Sequence, residues 1–137
     1  MREGGKGRRS VVIDTDIFID NLRGVAQSLQ WFNRIKNSGS FEVCYSAMTE
    51  AELLSGKDCE DKEKEGKALT LLSVGEKVLV TNEIARLGGA VRRRYGLQIG
   101  DAIIAATAIE KRALLYTRNI SDYSRIPHLN LNEPYKV

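Results

Sequence analysis

The 137-residue sequence holds one histidine and two cysteines. A single imidazole, His128, excludes mechanisms that need two. Cys44 and Cys59 do not stand at metal-ligand spacing. They allow one bridge at most, and two unbridged thiols are expected, with Cys44 filling core in an apolar, strand-like run. A bound metal would therefore be held mainly by oxygen, which points to magnesium or manganese over zinc. The longest apolar stretches are four or five residues, too short to cross a bilayer. The first ten residues lack the apolar core of a secretory signal, so a cytoplasmic location without membrane contact is expected.

What is there suits one soluble domain. The composition is 42% apolar and 28% charged, ordinary for a globular protein, and a chain of this length hides roughly 65–70% of its extended surface on folding. The net charge of +3 is concentrated in residues 1–9, where Arg2, Lys6, Arg8 and Arg9 face only Glu3. The rest of the chain is neutral. Residues 1–9 read as a basic, Gly-rich tail and residues 10–137 as the single domain. Such a tail is weak support for a nucleic-acid partner, because solvated ends often look the same.

Short β-branched runs alternate with helical patterns. Ser10 to Asp14 reads as a buried parallel strand. Helices are expected around Ile17 to Leu22 and over Ala26 to Lys36, and a second strand over Phe41 to Tyr45. A helix starts at Thr49 and ends near Gly56. The mixed-charge run Lys57 to Lys67 reads as solvated, with Ala68, Leu69, Leu71 and Leu72 as its buried continuation. Lys77 to Val80 is a third strand, and Thr81 caps a helix to Tyr95 whose Gly88-Gly89 pair is unfavourable mid-helix. From Asp101 to Lys111 the helix is small and apolar almost all round, hence central. Ala113 to Thr117 is a strand, Asn119 to Tyr123 a turn or short helix, and Leu129 to Leu131 an edge strand. This alternation predicts a three-layer α/β/α sandwich around a mainly parallel sheet.

Four acids fall at element ends, where open parallel sheets gather ligands: Asp14, Glu52, Asp101 and Asp122. Converging carboxylates suit a hard cation, which would orient a water and neutralise phosphodiester charge. Each also has a plainer reading. Thr49-Glu50-Ala51-Glu52 is a capping box, Asn119 to Asp122 has a similar shape, Asp101 is a first-turn acid and Asp14 a turn residue. The pattern alone does not choose between Glu50 and Glu52. Asp16 reads as a cap for the helix beginning at Ile17, or as an outer carboxylate of the site. Thr117 either steadies Asp14 or is a plain β-former, and Asn119 either bonds a site acid or caps. Trp31, Phe32 and Ile35 are expected in the core, as are Tyr95 and Tyr123.

Four segments together, V-V-I-D-T-D-I-F-I-D-N-L-R-G, S-A-M-T-E-A-E-L-L-S-G, G-D-A-I-I-A-A-T-A-I and L-Y-T-R-N-I-S-D-Y, resemble the PIN domain, and within it the VapC toxins of prokaryotic toxin–antitoxin pairs. The resemblance runs from about Val11 to Leu131. It implies Asp14, Glu52, Asp101 and Asp122 as catalytic and metal-holding acids, with Thr117 and Asn119 on the rim. Asp16 departs from the family pattern, which has Ser, Asn or Thr there. The resemblance further implies a Mg²⁺- or Mn²⁺-dependent endoribonuclease, usually homodimeric, acting on tRNA or ribosomal RNA and restrained by a VapB-like antitoxin. Basic groups should flank so acidic a site: Arg118 and Arg92 to Arg94 first, then Arg23, Lys111, Arg112 and the tail. Two other readings exist. Asp14-Thr15-Asp16 is similar to the signature of aspartyl-phosphate phosphohydrolases, and a PIN-like scaffold serves in some proteins as an RNA or protein adaptor.

Overall fold

Five short strands pair into a single sheet in the order β3-β2-β1-β4-β5, every pair parallel. The computed structural model describes residues 8–137, so most of the basic tail lies outside the described residues. The strands are β1 (Arg9–Ile13), β2 (Phe41–Ser46), β3 (Glu76–Val78), β4 (Leu114–Tyr116) and β5 (Leu131–Asn132). The helices are α1 (Thr15–Leu22), α2 (Ala26–Ser38), α3 (Ala47–Leu54), α4 (Lys62–Leu72), α5 (Asn82–Tyr95), α6 (Ile99–Glu110) and α7 (Ile120–Tyr123), with a 3-10 turn at Lys57–Glu60.

Side-chain alternation along the strands builds the three layers. Val11 and Ile13 of β1, Phe41, Val43 and Tyr45 of β2, and Leu114 and Tyr116 of β4 face one way. They meet Ile17 and Phe18 of α1, Trp31, Phe32 and Ile35 of α2, and Leu72 of α4. Val12, Cys44 and Leu115 face the other way, onto Val91 of α5, Ala102, Ile104, Ala105 and Ala108 of α6, and Tyr123. The expected α/β/α sandwich is therefore present, and β1 at its centre is covered on both faces. Neither cysteine is bridged. Among the described residues no helix is long and apolar enough to cross a membrane.

Several details differ from the sequence expectation. α3 begins two residues before Thr49 and is capped by Ser46, whose hydroxyl accepts from the Met48 amide at 3.0 Å. Thr49 is therefore a buried interior residue, and the capping-box reading of Glu52 is overturned. α1 begins at Thr15 with Asp14 as its cap, so Asp16 does not cap it. β3 ends at Val78, leaving Leu79 and Val80 exposed, and Leu69 is exposed on α4. Thr81 does cap α5, accepting from the Ile84 amide.

The glycine pair in α5 splits by environment. A Cβ on Gly88 would lie 2.6 Å from Ile103 Cδ1, so this residue lets α5 close onto α6, whereas a Cβ on Gly89 meets nothing within 4 Å. Gly89→Ala is expected to stabilise the fold by about 0.5–1 kcal/mol. Gly88→Val is expected to cost about 1–3 kcal/mol through overpacking. Urea unfolding of both variants checks the contrast.

Candidate active site

The sheet runs outward from β1 through β2 to β3 on one side and through β4 to β5 on the other. The switch point therefore lies between β1 and β4, where open α/β sheets bind ligands at the strands' carboxyl ends. Asp14 stands there. Its backbone amide donates to the Tyr116 carbonyl at 2.9 Å, tying the ends of β1 and β4 together. Its carboxylate is 3% exposed. Oδ1 accepts from the Thr15 amide at 2.8 Å and the Tyr123 hydroxyl at 3.3 Å, and Oδ2 accepts from the Thr117 hydroxyl at 2.7 Å. A carboxylate has about four acceptor sites, so one remains on Oδ2. Thr117 thus steadies Asp14 through its hydroxyl.

Glu52, two turns into α3, accepts from the Thr15 hydroxyl at 2.6 Å. That hydroxyl also lies 2.9 Å from the Thr49 hydroxyl. Because Thr15 gives its one proton to Glu52, Thr49 donates to Thr15, and this buried chain joins α1 to α3. Glu50 turns elsewhere and pairs with Lys77 at 3.4 Å. Asp101, in the first turn of α6, lies 3.3 Å from the Tyr123 hydroxyl, whose single proton is shared between Asp14 and Asp101. The preceding residue must be small: a Cβ on Gly100 would fall 2.5 Å from Glu52 Oε2 and 3.3 Å from Met48 Cε.

Asp14, Asp16, Glu52 and Asp101 line one cavity of about 240 Å³ together with Thr15, Ile19 and Asn119. No cation is among these residues. Asp122 is not among them either. It pairs with Arg125 at 3.1 Å and accepts from the Asn119 amide group at 3.2 Å, so Asn119 orients an acid rather than capping α7. Asp16 lines the cavity: Oδ2 accepts from the Arg118 amide at 3.0 Å, while Oδ1 is buried with no hydrogen-bond partner. The guanidinium of Arg118 is turned to Asp20 at 2.9 Å, and Tyr135 donates to the same Asp20 oxygen at 2.8 Å. Arg92 donates to the Leu97 carbonyl at 2.7 Å, and Arg93 and Arg94 are exposed.

A PIN domain family model matches residues 11–129. The chain belongs to the PIN domain family. It is 37% identical over 130 residues to ribonuclease VapC19 of Mycobacterium tuberculosis, covering 90% of this chain and 98% of the relative. It is 30% identical over 134 residues to a ribonuclease VapC of Rickettsia bellii, covering 88% and 93%. Its fold is similar to a chain of a toxin–antitoxin complex from Klebsiella pneumoniae, with a TM-score of 0.74 at 28% identity over 93% of this chain and 99% of the other. DNA-bound VapBC from Salmonella typhimurium gives a TM-score of 0.79 at 19% identity over the same shares, a likeness of fold.

Two groups that shape the site are assigned no role in it by the sequence pattern, whereas Thr15, between Asp14 and Asp16, stands on the expected rim. Tyr123, expected only to pack, places its hydroxyl between Asp14 and Asp101. Thr49, read as a helix cap, is a buried threonine inside α3 that supports the Thr15 hydroxyl. The signal for Tyr123 was its place directly after Asp122 in a site motif, where a phenol adds a polar handle to a buried ring.

Crowding of like charge sets the protonation of the site. Burial, followed by the charge of Asp16, pushes the Asp14 carboxyl up to about 8, against the hydrogen bonds from Thr117 and Thr15. Burial lifts Asp16 to about 6, opposed by the Arg118 amide and reinforced by Asp20. Burial also raises Asp101, against the Tyr123 hydrogen bond and aided by Asp122. The folded state then binds more protons than the unfolded chain between roughly pH 4 and 8, so stability falls as pH rises through that window. Asp14→Asn removes the largest share. Its melting temperature is expected to exceed the wild type's by about 3–8 °C at pH 8, with the gap closing near pH 4. Thermal melts across pH check this, and a constant gap contradicts it.

Proposed function

We propose that this PIN domain hydrolyses RNA as the toxin of a toxin–antitoxin pair and uses Mg²⁺ or Mn²⁺ to do so. The observation that carries the reading is the cavity itself: four carboxylates from three separated elements, with no basic residue among them, at the switch point of a parallel sheet. Relatives of known name that cover most of the chain are ribonucleases, and the fold is that of toxin–antitoxin complexes. The phosphohydrolase reading falls with the family membership. RNA of the tRNA or ribosomal class, a VapB-like antitoxin, a homodimer and a cytoplasmic setting complete the proposal.

The donor set fits a hard divalent ion. Every polar group of the cavity is oxygen apart from the Asn119 amide, and Asp16 Oδ1 is a buried acceptor without a partner. Among the described residues no group of three or more His, Cys, Asp or Glu side chains is placed to ligate one metal ion directly. Magnesium does not require such a group, since it keeps several waters and takes one or two carboxylates. Asp14, Glu52 and Asp101 would hold the ion directly or through its waters, with Asp16 beside them and Asp122 assisting through its charge on Asp101. The ion would supply water activation and neutralise charge on the phosphodiester.

The chain's own residues provide the orientation. Thr117, the Thr15 amide and Tyr123 fix Asp14, and the Thr15–Thr49 pair fixes Glu52. Tyr123 holds Asp14 and Asp101 through a single hydroxyl. Asn119 sets Asp122. No imidazole stands among the cavity residues, so the water and the leaving 3′-oxygen exchange protons with solvent or carboxylate. The products expected from water attack at phosphorus with loss of the 3′-oxygen are a 5′-phosphate and a 3′-hydroxyl.

Asp14→Asn is expected to lower RNA cleavage in Mg²⁺ and in Mn²⁺ by more than about 100-fold, beyond the usual cost of disturbing an outer-shell group. Cleavage of total cellular RNA by the purified protein, with end mapping, measures it. Undiminished turnover in the variant would remove Asp14 from the chemistry.

A further inference from the structure

The acidic cavity repels a polyanion, so the substrate strand needs a cationic seat next to it. Of the basic residues first expected there, Arg118 is held by Asp20 and Arg92 by the Leu97 carbonyl, whereas Arg93 and Arg94 are exposed and line neither the acidic cavity nor the one beside it. A second cavity, of about 390 Å³, adjoins the first and shares Ile19 and Glu52 with it. That volume is within the range of small-molecule pockets, roughly 300–1,000 Å³.

Its chemistry is opposite to that of its neighbour. Arg23, Lys64 and Lys67 border it, against Glu52 and Asp58. Arg23, exposed at the end of α1, makes no side-chain hydrogen bond or ion pair among the described residues. Lys64 and Lys67 have only long, exposed pairings, to Asp58 at 3.9 Å and Glu63 at 4.0 Å. Such pairs contribute about 0–1 kcal/mol and yield readily to phosphate. Between the cations lies an apolar floor of Ile19, Leu22, Leu53 and Ala68, with Leu22 41% exposed. A cationic rim over an apolar floor suits a nucleotide, whose phosphate is charged and whose base has an apolar face.

We propose that the groove between α1 and α4 bordered by Arg23, Lys64 and Lys67 seats a nucleotide of single-stranded RNA adjacent to the phosphate at the acidic cavity. The proposal rests on the RNA-hydrolysis reading above and adds the side on which the strand lies. Phosphates meet the three cations, and a base rests on Leu22 and Ile19. Because these contacts are to backbone charge and to a flat apolar face, the groove gives affinity with little sequence preference.

The test is steady-state cleavage of a short single-stranded RNA by the full-length protein in Mg²⁺, across a salt series. Arg23→Gln/Lys64→Gln/Lys67→Gln is expected to raise KM about 10-fold or more with kcat within about twofold. The slope of log affinity against log salt should fall by roughly 2, given about 0.7 per phosphate contact on single strands. The single variants Lys64→Gln and Lys67→Gln, each expected to raise KM by about 3-fold, carry the same reading should the triple variant not fold. Arg34→Gln, on α2 and outside both cavities, should leave KM unchanged. An active triple variant with wild-type KM and salt slope overturns the groove while leaving the nuclease reading intact. A loss of kcat alone overturns it too, as does weakened binding of an antitoxin peptide with RNA kinetics unaltered. A wild-type protein that cleaves no RNA overturns the reading beneath it.

Discussion

The structure depends on keeping a carboxylate where water is nearly absent. Asp14 ends the most buried strand of the sheet, and an ionised acid there is costly unless its oxygens are satisfied. Three donors from three parts of the chain meet this need: the first amide of α1, the hydroxyl of Thr117 after β4, and the phenol of Tyr123 in α7. The same contacts join β1 to β4 and lock α7 against the sheet. The cost that remains appears as the raised carboxyl of Asp14, with burial as its first cause and Asp16 as its second. A site strained by like charge is one a divalent cation relieves.

The helices around this centre are arranged to bring further acids close. α6 is nearly all alanine, glycine, isoleucine and threonine, and its small side chains let it lie against the sheet and α5 at once. Gly100 at its start removes the Cβ that would strike Glu52, so α3 and α6 meet through a carboxylate instead of a methyl group. The Thr15–Thr49 hydroxyl pair sets α1 against α3 from the other side. Packing and site chemistry therefore use the same residues, and few of them are free to change for one purpose alone.

Much of this was legible in the sequence because it depends on local pattern. Buried β-branched runs such as Ser10 to Asp14 and the apolar helix after Asp101 declare a parallel sheet with a central helix. The Thr81 cap is equally local. The errors came where tertiary contact overrides local signals. Thr49 has the shape of a cap, yet Ser46 sits earlier and takes that role, which frees Thr49 to be buried. Tyr123 reads as a packing aromatic, and only the approach of β1 and α6 gives its hydroxyl two partners. Asp122 keeps its proposed assisting role from beside the cavity, where Arg125, three residues after it, pairs with it, and Asp16 lines the cavity with an amide on one oxygen. Arg118 stands beside the site in sequence, but Asp20, 98 residues before it, pairs with its guanidinium, which also lies over the ring of Tyr135, 17 residues after it.

The central claim is that acids from distant parts of the chain share one divalent ion. Calorimetric titration of the metal-free protein with Mn²⁺, in the absence of RNA, addresses it most directly. Saturable binding by the wild type, weakened at least about 10-fold by Asp101→Asn and unchanged by Glu50→Gln, is the predicted result. Equal binding by all three proteins, or no saturable binding by any, would contradict the account.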